Sequence, residues 1–257
     1  MPSVSVTEAP NISHPTAARA RITSLCKGAQ QAREKGHEVL SLVLTSSACL
    51  EICERSNESS QLYAASISLA DFLQKTAAQV DMRMSPLQQT HLALKVVSSV
   101  LQLRSTMWCS VPWTSTTIKF PIHETDDAGG LLFTPYLEQS IDPVLVEPRR
   151  GSLSDLSTQQ AKTTMLNLAI LLLEILHHTT ISTWTAQNNE GEPTTYESRF
   201  GLAVRWLERS QSRLLPHHLK PVEQCLALCV RGQILWDTCL QQLFCENIIK
   251  PLRELAL

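Results

Sequence analysis

The sequence lacks both a charge imbalance and a long apolar run, and these two absences exclude several classes of protein. Its 22 Lys and Arg residues nearly balance its 24 Asp and Glu residues, giving a formal net charge of -2. No basic groove for nucleic acid and no basic patch for an anionic membrane is therefore expected. The longest apolar run, residues 165–176, is shorter than the about 20 residues that cross a bilayer, and it contains Glu174. We expect a buried core helix there rather than a membrane span.

Residues 1–17 lack the apolar core of a secretory signal peptide and are rich in Pro, Ser and Thr. We expect them to form a flexible tail and the protein to be cytoplasmic. The eight cysteines are then expected to be free thiols, because disulfides are rare in a reducing compartment. With 43% hydrophobic and 18% charged residues, the rest of the chain, residues 18–257, is expected to fold as one soluble domain.

Common catalytic and metal-binding motifs are also missing from the sequence. It contains no phosphate-binding loop, no dinucleotide fingerprint and no Ser-His-Asp set. Cys225 and Cys229 lie four apart on a predicted helix, with His217 and His218 just upstream, so a zinc site is one interpretation. Structural zinc pairs usually follow a different spacing, beside loops that turn back. We therefore expect two core thiols, and neither a metal nor a cofactor.

Four other polar residues are assigned structural roles. Glu174 interrupts the apolar run, and because a buried carboxylate needs a partner, we expect a structural hydrogen bond or ion pair. His177 and His178 point about 100° apart on a helix and do not chelate one ion. They suit the last turn of that helix, where a cation or donor meets free carbonyls. Asp127 lies in the string Asp-Ala-Gly and is expected in a turn rather than on a metal ion.

Residue periodicity predicts a mostly helical chain with one short N-terminal pair of strands. The paired strands are expected at residues 38–45 and 48–54, in antiparallel order. Short strands are also expected at residues 117–120 and 131–134. Helices are expected at residues 17–35, from Ser68, from Ser85, at residues 158–178, at residues 196–209, from Pro221, and at residues 238–257 with a split at Pro251.

Two of these helices begin with a capping pattern. Ser85 is followed by Pro86 at the first helical position and by Gln88 three residues later, which is typical of a capping box. Ser68 is followed at the same spacing by an acid, Asp71. Both serines are therefore predicted to be N-caps.

The stretch at residues 103–120, LRSTMWCSVPWTSTTIKF, resembles the frame of a protein-kinase catalytic loop. In a kinase this frame contains His-Arg-Asp, four spacers and an Asn. Here the first slot holds Ser110, Val111 and Pro112, and the Asn slot holds Thr117. A kinase uses the Asp to accept a substrate proton and the Asn to hold a metal ion, which Pro112 and Thr117 do not do. The resemblance therefore implies a degenerate kinase position without catalytic residues.

The order of the predicted elements resembles a protein-kinase C-lobe preceded by a remnant of the N-lobe. The strings that carry this resemblance are SLADFLQ from Ser68, HLALKVVSSVLQLRS from His91 and LNLAILLLEIL from Leu166. The resemblance implies a mainly α fold, with an N-lobe remnant and its short β pair at residues 18–66 and a C-lobe-like part at residues 67–257. The Gly-rich loop, the strand Lys and the Asp-Phe-Gly site of a kinase are missing.

More closely, the chain resembles a fungal family of domains of unknown function. The matching segments are SSVLQLRSTMW followed by Trp113, then TPYLEQS, LAILLLEIL and ENIIKPLREL. Members stand alone or are attached to helical domains of the prion-inhibition and propagation (HeLo-type) or NOD-like type. The resemblance implies no established activity.

These features favour an uncharacterised, non-catalytic intracellular interaction or signalling module with an unknown protein partner. Two alternatives stay open: an enzyme with an unrecognised site in a cleft near Trp113, and a fragment of a larger multidomain signalling protein. A module that binds a partner predicts an exposed apolar patch. An enzyme predicts a concave pocket with converging polar groups.

Overall fold

The computed structural model describes residues 19–22, 34, 39–43, 50–53, 65–77, 83–104, 112–122, 135–140, 158–234 and 236–256. Over these residues the protein is mainly helical and contains an antiparallel sheet. The tail expected at residues 1–17, the strand expected at residues 131–134, and Asp127 lie outside the described residues.

Six strands of the described chain form the sheet. They are β1 (Arg19–Ile22), β2 (Val39–Val43), β3 (Leu50–Cys53), β4 (Ala65–Ser68), β5 (Ile118–Ile122) and β6 (Tyr136–Ser140). Their order across the sheet is β1-β3-β2-β6-β5-β4, and every neighbouring pair is antiparallel. Leu42 lies opposite Leu137, so the pairing of β2 with β6 joins the N-terminal strands to the later ones.

The sheet confirms part of the strand prediction and corrects the rest. The predicted pair is confirmed as β2 and β3, and the strand predicted at residues 117–120 is confirmed as β5. The helix predicted at residues 17–35 is wrong at Arg19–Ile22, where pairing with β3 overrides the helix preference of Ala and Arg. The sequence does not predict β4 and β6, because both are short and because β4 pairs with β5 across two intervening helices.

The helices surround one central helix. They are α1 (Leu69–Thr76), α2 (Pro86–Leu103), α3 (Thr158–His177), α4 (Ile181–Gln187), α5 (Tyr196–Ser210), α6 (Pro216–Cys229), α7 (Thr238–Phe244) and α8 (Lys250–Leu255), and a π-helical turn, Cys245–Ile249, joins α7 to α8. The central helix, α3, packs against α2, α5 and α6. The last helix, α8, packs against α2 and α6.

Both predicted N-caps are confirmed. The Ser68 hydroxyl accepts from the Asp71 amide at 3.1 Å and donates to the Asp71 carboxylate at 2.6 Å. Ser85 accepts from the Gln88 amide at 3.3 Å, and the Gln88 side-chain oxygen accepts from the Ser85 amide at 2.8 Å. These bonds satisfy N–H groups that a helix start leaves unpaired, and they begin α1 directly after β4.

The predicted buried helix is confirmed as α3. Every residue from Thr164 to Leu176 is buried, and its apolar side chains belong to a core cluster shared with α2, α5 and α6. Within the described ranges, no single helix has the length and apolar character needed to cross a membrane. Taken together, α3 and α4 meet that criterion only as a pair bent by 70°.

Three features of the helices differ from the prediction. Pro221 lies inside α6, which begins at Pro216, so it does not open a helix. At Pro251 the chain does not split into two separate helices as expected. A π-helical turn immediately precedes α8 instead, and this turn lets the helical chain continue past Pro251, which has no backbone N–H. The sequence does not predict α4, because a helix of this length shows no clear apolar stripe.

Candidate functional site

Of the positions in the kinase-like frame, Thr117 lies in a tight turn before β5. Ser110 and Val111 lie outside the described residues, and Pro112 is exposed. The Thr117 hydroxyl accepts from the Thr114 amide and donates to the Thr114 carbonyl oxygen, both at 3.0 Å. The Thr117 amide donates to the same carbonyl at 3.1 Å. Thr117 therefore closes the turn, and its hydroxyl is bound to the adjacent backbone.

Two side chains anchor this turn to the core. Trp113 is 4% exposed and belongs to the core cluster. Ser115 is also buried, and its carbonyl oxygen accepts from the Ala70 amide of α1 at 2.9 Å. The turn is thereby held against α1 and the core.

Glu174 is the buried acid beside this turn. Its Oε1 atom accepts from the amide of Ile181, the first residue of α4, at 2.9 Å. Burial raises the pKa of Glu174 to about 7, although the hydrogen bond from Ile181, the nearby Ser115 hydroxyl and the charge of Arg199 act in the opposite direction. The predicted structural hydrogen bond of Glu174 is confirmed, and it connects α3 to the start of α4.

Three histidines, of which His178 and His218 are buried and His177 is half-buried, form a second set of polar contacts. The Nε2 atom of each lies beside a Ser or Thr hydroxyl of another helix, and that hydroxyl donates to the carbonyl oxygen four residues earlier. Because the hydroxyl proton is already used, Nε2 is assigned as the protonated donor of a neutral ring. The pairs are His178 with Thr76 at 2.6 Å, His177 with Ser210 at 2.7 Å, and His218 with Thr90 at 2.9 Å.

These contacts change the role predicted for His177 and His178. Both lie at the end of α3, and His178 has a φ of 50°, but their rings bind hydroxyls of α5 and α1 rather than the free carbonyls of α3. Burial lowers the pKa of each to about 4, with smaller effects from Arg213 on His177 and from Arg83 on His178. Burial also lowers the pKa of His218. All three rings are therefore neutral donors at neutral pH, and not cations.

A family model matches nearly the whole chain. Its description is a domain of unknown function, DUF7580, and the match covers residues 6–256. The chain belongs to the DUF7580 family. No curated protein and no solved structure matches it.

The DUF7580 match confirms the expectation of a family of domains of unknown function. Its description states neither an activity nor a source. Fungal origin, the HeLo-type and NOD-like associations and a kinase-like C-lobe therefore stay predictions. The turn at residues 112–117 and the histidine contacts both lie within the matched DUF7580 region.

We expect acid to weaken the DUF7580 fold through these histidines. The pKa values of His177 and His178 fall from 6.5 to about 4 on folding, and that of His218 also falls, so the unfolded chain binds more protons in this range. The free energy of unfolding then falls as the pH falls. His178→Asn removes one of these rings, and Asn tolerates the positive φ at this position. The free energy of unfolding of the variant should therefore fall less steeply with falling pH than that of the wild type, by up to about 1.4 kcal/mol per pH unit. Urea unfolding between about pH 7 and pH 4.5 measures the slopes.

His91 provides the matched control for this experiment, because it is exposed on α2. His91→Asn breaks no buried hydrogen bond, so its slope should lie close to that of the wild type. Glu174 contributes in the opposite sense, since its pKa is raised, but this contribution is common to all three proteins. Parallel pH profiles for the wild type and His178→Asn would contradict the assignment of a neutral buried ring.

The prediction of core thiols is confirmed for Cys225 and Cys229, which are buried in the core cluster. Burial raises the pKa of Cys229 to about 11 and that of Cys225 well above its usual range, so both thiols stay protonated at neutral pH. In the part of the chain that the structure describes, no group of three His, Cys, Asp or Glu side chains is placed to hold a metal ion. Cys239 and Cys245 are free and exposed.

The sequence does not predict the hydroxyl partners of the three histidines: Thr76, Thr90 and Ser210. A weak local signal exists for two of them. Thr76 and Thr90 lie on the buried faces of α1 and α2, where a hydroxyl needs a partner. Their histidine partners are about a hundred residues away, so only the helix packing identifies the pairs.

Proposed function

We propose that the chain is a non-catalytic interaction or signalling module, pseudokinase-like and cytoplasmic. The observation that carries this proposal is the internal use of the turn at residues 114–117. The three Thr hydroxyls of this turn, those of Thr114, Thr116 and Thr117, have hydrogen-bond partners within the turn itself. Residues 112–122 contain no Asp, Glu or His, so this segment supplies no general base.

The order of the elements supports the kinase-like part of the proposal. Strand β4 leads into α1 and α2, the turn follows, and β5 and β6 precede the buried helix α3. This is the order that the resemblance to a kinase C-lobe implies. The position at which a kinase has its catalytic Asp, a general base, is here the exposed Pro112.

Exposed apolar side chains support a role in binding a protein. Leu87, Leu215 and Val230 are 53%, 54% and 68% exposed. Leu87 lies one turn before Thr90, and Leu215 lies one turn before His218. Because the side chains of Thr90 and His218 are 2.9 Å apart, the two leucines are at the same end of the bundle. A protein partner covers apolar side chains of this kind.

The two alternatives gain less support. Trp113 is buried in the core, so its ring offers no surface to an enzyme site beside it. That the chain is a fragment of a larger multidomain signalling protein stays a prediction.

We expect neither ATP-magnesium binding nor phosphate transfer, even after two kinase residues are restored. Pro112→Asp with Thr117→Asn places a base and a metal ligand in the kinase-like frame. Phosphoryl transfer also requires a Gly-rich loop, a strand Lys and an Asp-Phe-Gly site, which the sequence lacks. Wild type and double variant should both show no rise in melting temperature with nucleotide, and no transfer to generic substrates or to themselves.

An active protein kinase under the same conditions is the positive control. A nucleotide present at about 100 times its Kd stabilises a native protein by about 2.7 kcal/mol, so binding would be visible as a saturable rise in Tm. Such a rise in the wild type would contradict the absence of a nucleotide site. Phosphate transfer by the wild type would refute the non-catalytic proposal.

A further inference from the structure

The three histidine contacts bring the ends of five helices together. His177 and His178 connect the end of α3 to the ends of α5 and α1, and His218 connects the start of α6 to the start of α2. Arg83, just before the N-cap of α2, donates to the Ala77 carbonyl oxygen at the end of α1. The turn after α5 leads directly into α6. These five helix ends therefore lie at one end of the bundle, which we call the histidine end.

The histidine end exposes apolar side chains at two helix starts. Leu87 in the first turn of α2 is 53% exposed, and Leu215 at the N-cap of α6 is 54% exposed. Each leucine adjoins an exposed proline, Pro86 beside Leu87 and Pro216 beside Leu215. Because the two helix starts are in contact, the two pairs lie on one patch of surface. Grouped apolar side chains of this kind mark a binding surface.

Exposed cations outnumber exposed acids at the histidine end. Four exposed cations flank the apolar patch, and among the described residues none of them forms an ion pair: Lys75, Arg83, Arg213 and Lys220. Of the described residues within three positions of the histidines and their hydroxyl partners, Glu208 is the only exposed acid. Glu254 of α8 also reaches this end, but it lies 3.4 Å from His217. The whole chain has a net charge of -2, so this excess of cations is local.

We propose that the histidine end binds an acidic segment of a partner protein, whose apolar side chains cover Leu87 and Leu215 and whose carboxylates meet the flanking cations. This proposal rests on the interaction role proposed above and names the class of partner. Covering the exposed leucines removes apolar surface from water, which supplies affinity. The complementary charges steer the approach of the segment and fix its position on the patch.

Two other occupants fit this surface less well. In a two-fold contact a second copy would present the same patch, so the four cations of one chain would face those of the other. Like charges placed opposite each other disfavour such a contact. An anionic membrane attracts the local cations but repels the chain as a whole, because its net charge is -2. A short acidic segment meets only the local excess of positive charge.

A synthetic peptide serves as the probe for this surface. It is a fluorescently labelled helix of Glu, Leu and Ala, with the Leu side chains on one face and the Glu side chains on the other. Its fluorescence anisotropy should show saturable binding to the wild type that weakens at high salt. Leu215→Ser with Lys220→Glu should weaken binding by about tenfold or more. A peptide with Lys in place of every Glu should not bind.

The opposite end of α6 provides a matched control. Val230 is 68% exposed there, next to the exposed Arg231, and it lies about 20 Å along the helix from Leu215. Val230→Ser with Arg231→Glu makes the same change in polarity and charge, and it should leave the affinity for the peptide unchanged. All four substitutions alter exposed side chains, and Ser is a favourable N-cap at position 215, so both variants should fold. Urea unfolding checks this.

The outcomes of this experiment are distinct. No saturable binding by the wild type, or an equal loss in the two double variants, would overturn the docking surface. Binding to phosphatidylserine vesicles without binding to the peptide would identify a membrane as the occupant, and a dimer in analytical ultracentrifugation that only Leu215→Ser with Lys220→Glu dissociates would identify a second copy. Either result would overturn the acidic partner. The non-catalytic role would still stand, because the phosphate-transfer assay tests it separately.

Discussion

Leu172→Asp should unfold the protein or bring it close to unfolding. Leu172 lies on the central helix α3 and has no exposed surface. An aspartate there buries a charge without a partner or, if protonated, an unpaired carboxyl, and we expect a loss of about 3 kcal/mol or more. That loss is a large fraction of the about 5–15 kcal/mol that holds a typical domain together. Urea unfolding followed by circular dichroism measures it.

Leu215→Asp is the matched control, and at this exposed position the same substitution should raise the free energy of unfolding rather than lower it. Leu215 is the N-cap residue of α6, is 54% exposed and makes no capping hydrogen bond. An aspartate at an N-cap accepts from an amide of the first turn, so we expect a stabilisation of about 1 kcal/mol. A Leu172→Asp protein with an unchanged unfolding midpoint would refute the placement of α3 at the centre of the core.

Trp206→Ala should produce the second large effect, a loss of about 3–5 kcal/mol. Trp206 is 1% exposed on α5 and stacks on Trp184 of α4, with ring centroids 5.1 Å apart and an interplanar angle of 19°. The ring of His177, at the end of α3, has its centroid 5.6 Å from that of Trp206. Removing the indole leaves a cavity where α3, α4 and α5 meet. Thermal or urea unfolding measures the loss.

Trp206→Phe separates packing from hydrogen bonding at this position. The indole N–H of Trp206 has no hydrogen-bond partner among the described residues, so a phenyl ring sacrifices volume but no bond. We expect Trp206→Phe to lose clearly less stability than Trp206→Ala. Equal losses for the two variants would contradict the view that the ring acts here by filling space.

Local sequence signals predict the parts of this fold that depend on neighbouring residues. The caps at Ser68 and Ser85 follow from side chains three residues apart, and the structure confirms both. The buried helix α3 follows from an apolar run too long for a strand and too short for a membrane span. The role of Glu174 as a bonded core acid follows from its place in that run, because burial forces a carboxyl to find a partner.

The partners of these groups, in contrast, are decided by packing between distant segments. His178 meets Thr76 because the end of α3 packs beside α1, and His218 meets Thr90 because the starts of α6 and α2 lie together. Neither pairing leaves a pattern in the sequence near the residues concerned. The pKa shifts of these groups follow from the same burial, so they too are properties of the tertiary structure.

The sequence by itself determined the helical character of the chain, its buried helix and its caps, since each depends on side chains at short spacing. Only the tertiary structure decided that Arg19–Ile22 is a strand, that β2 pairs with β6, and that the three Thr hydroxyls of the turn are all engaged. Strand pairing joins backbone groups that lie far apart in the chain. The backbone N–H and C=O groups that pair are the same for almost every residue, so many different sequences can form the same pairing. The physical reason is therefore that backbone pairing and buried polar contacts are set by which surfaces meet, and local periodicity does not encode this.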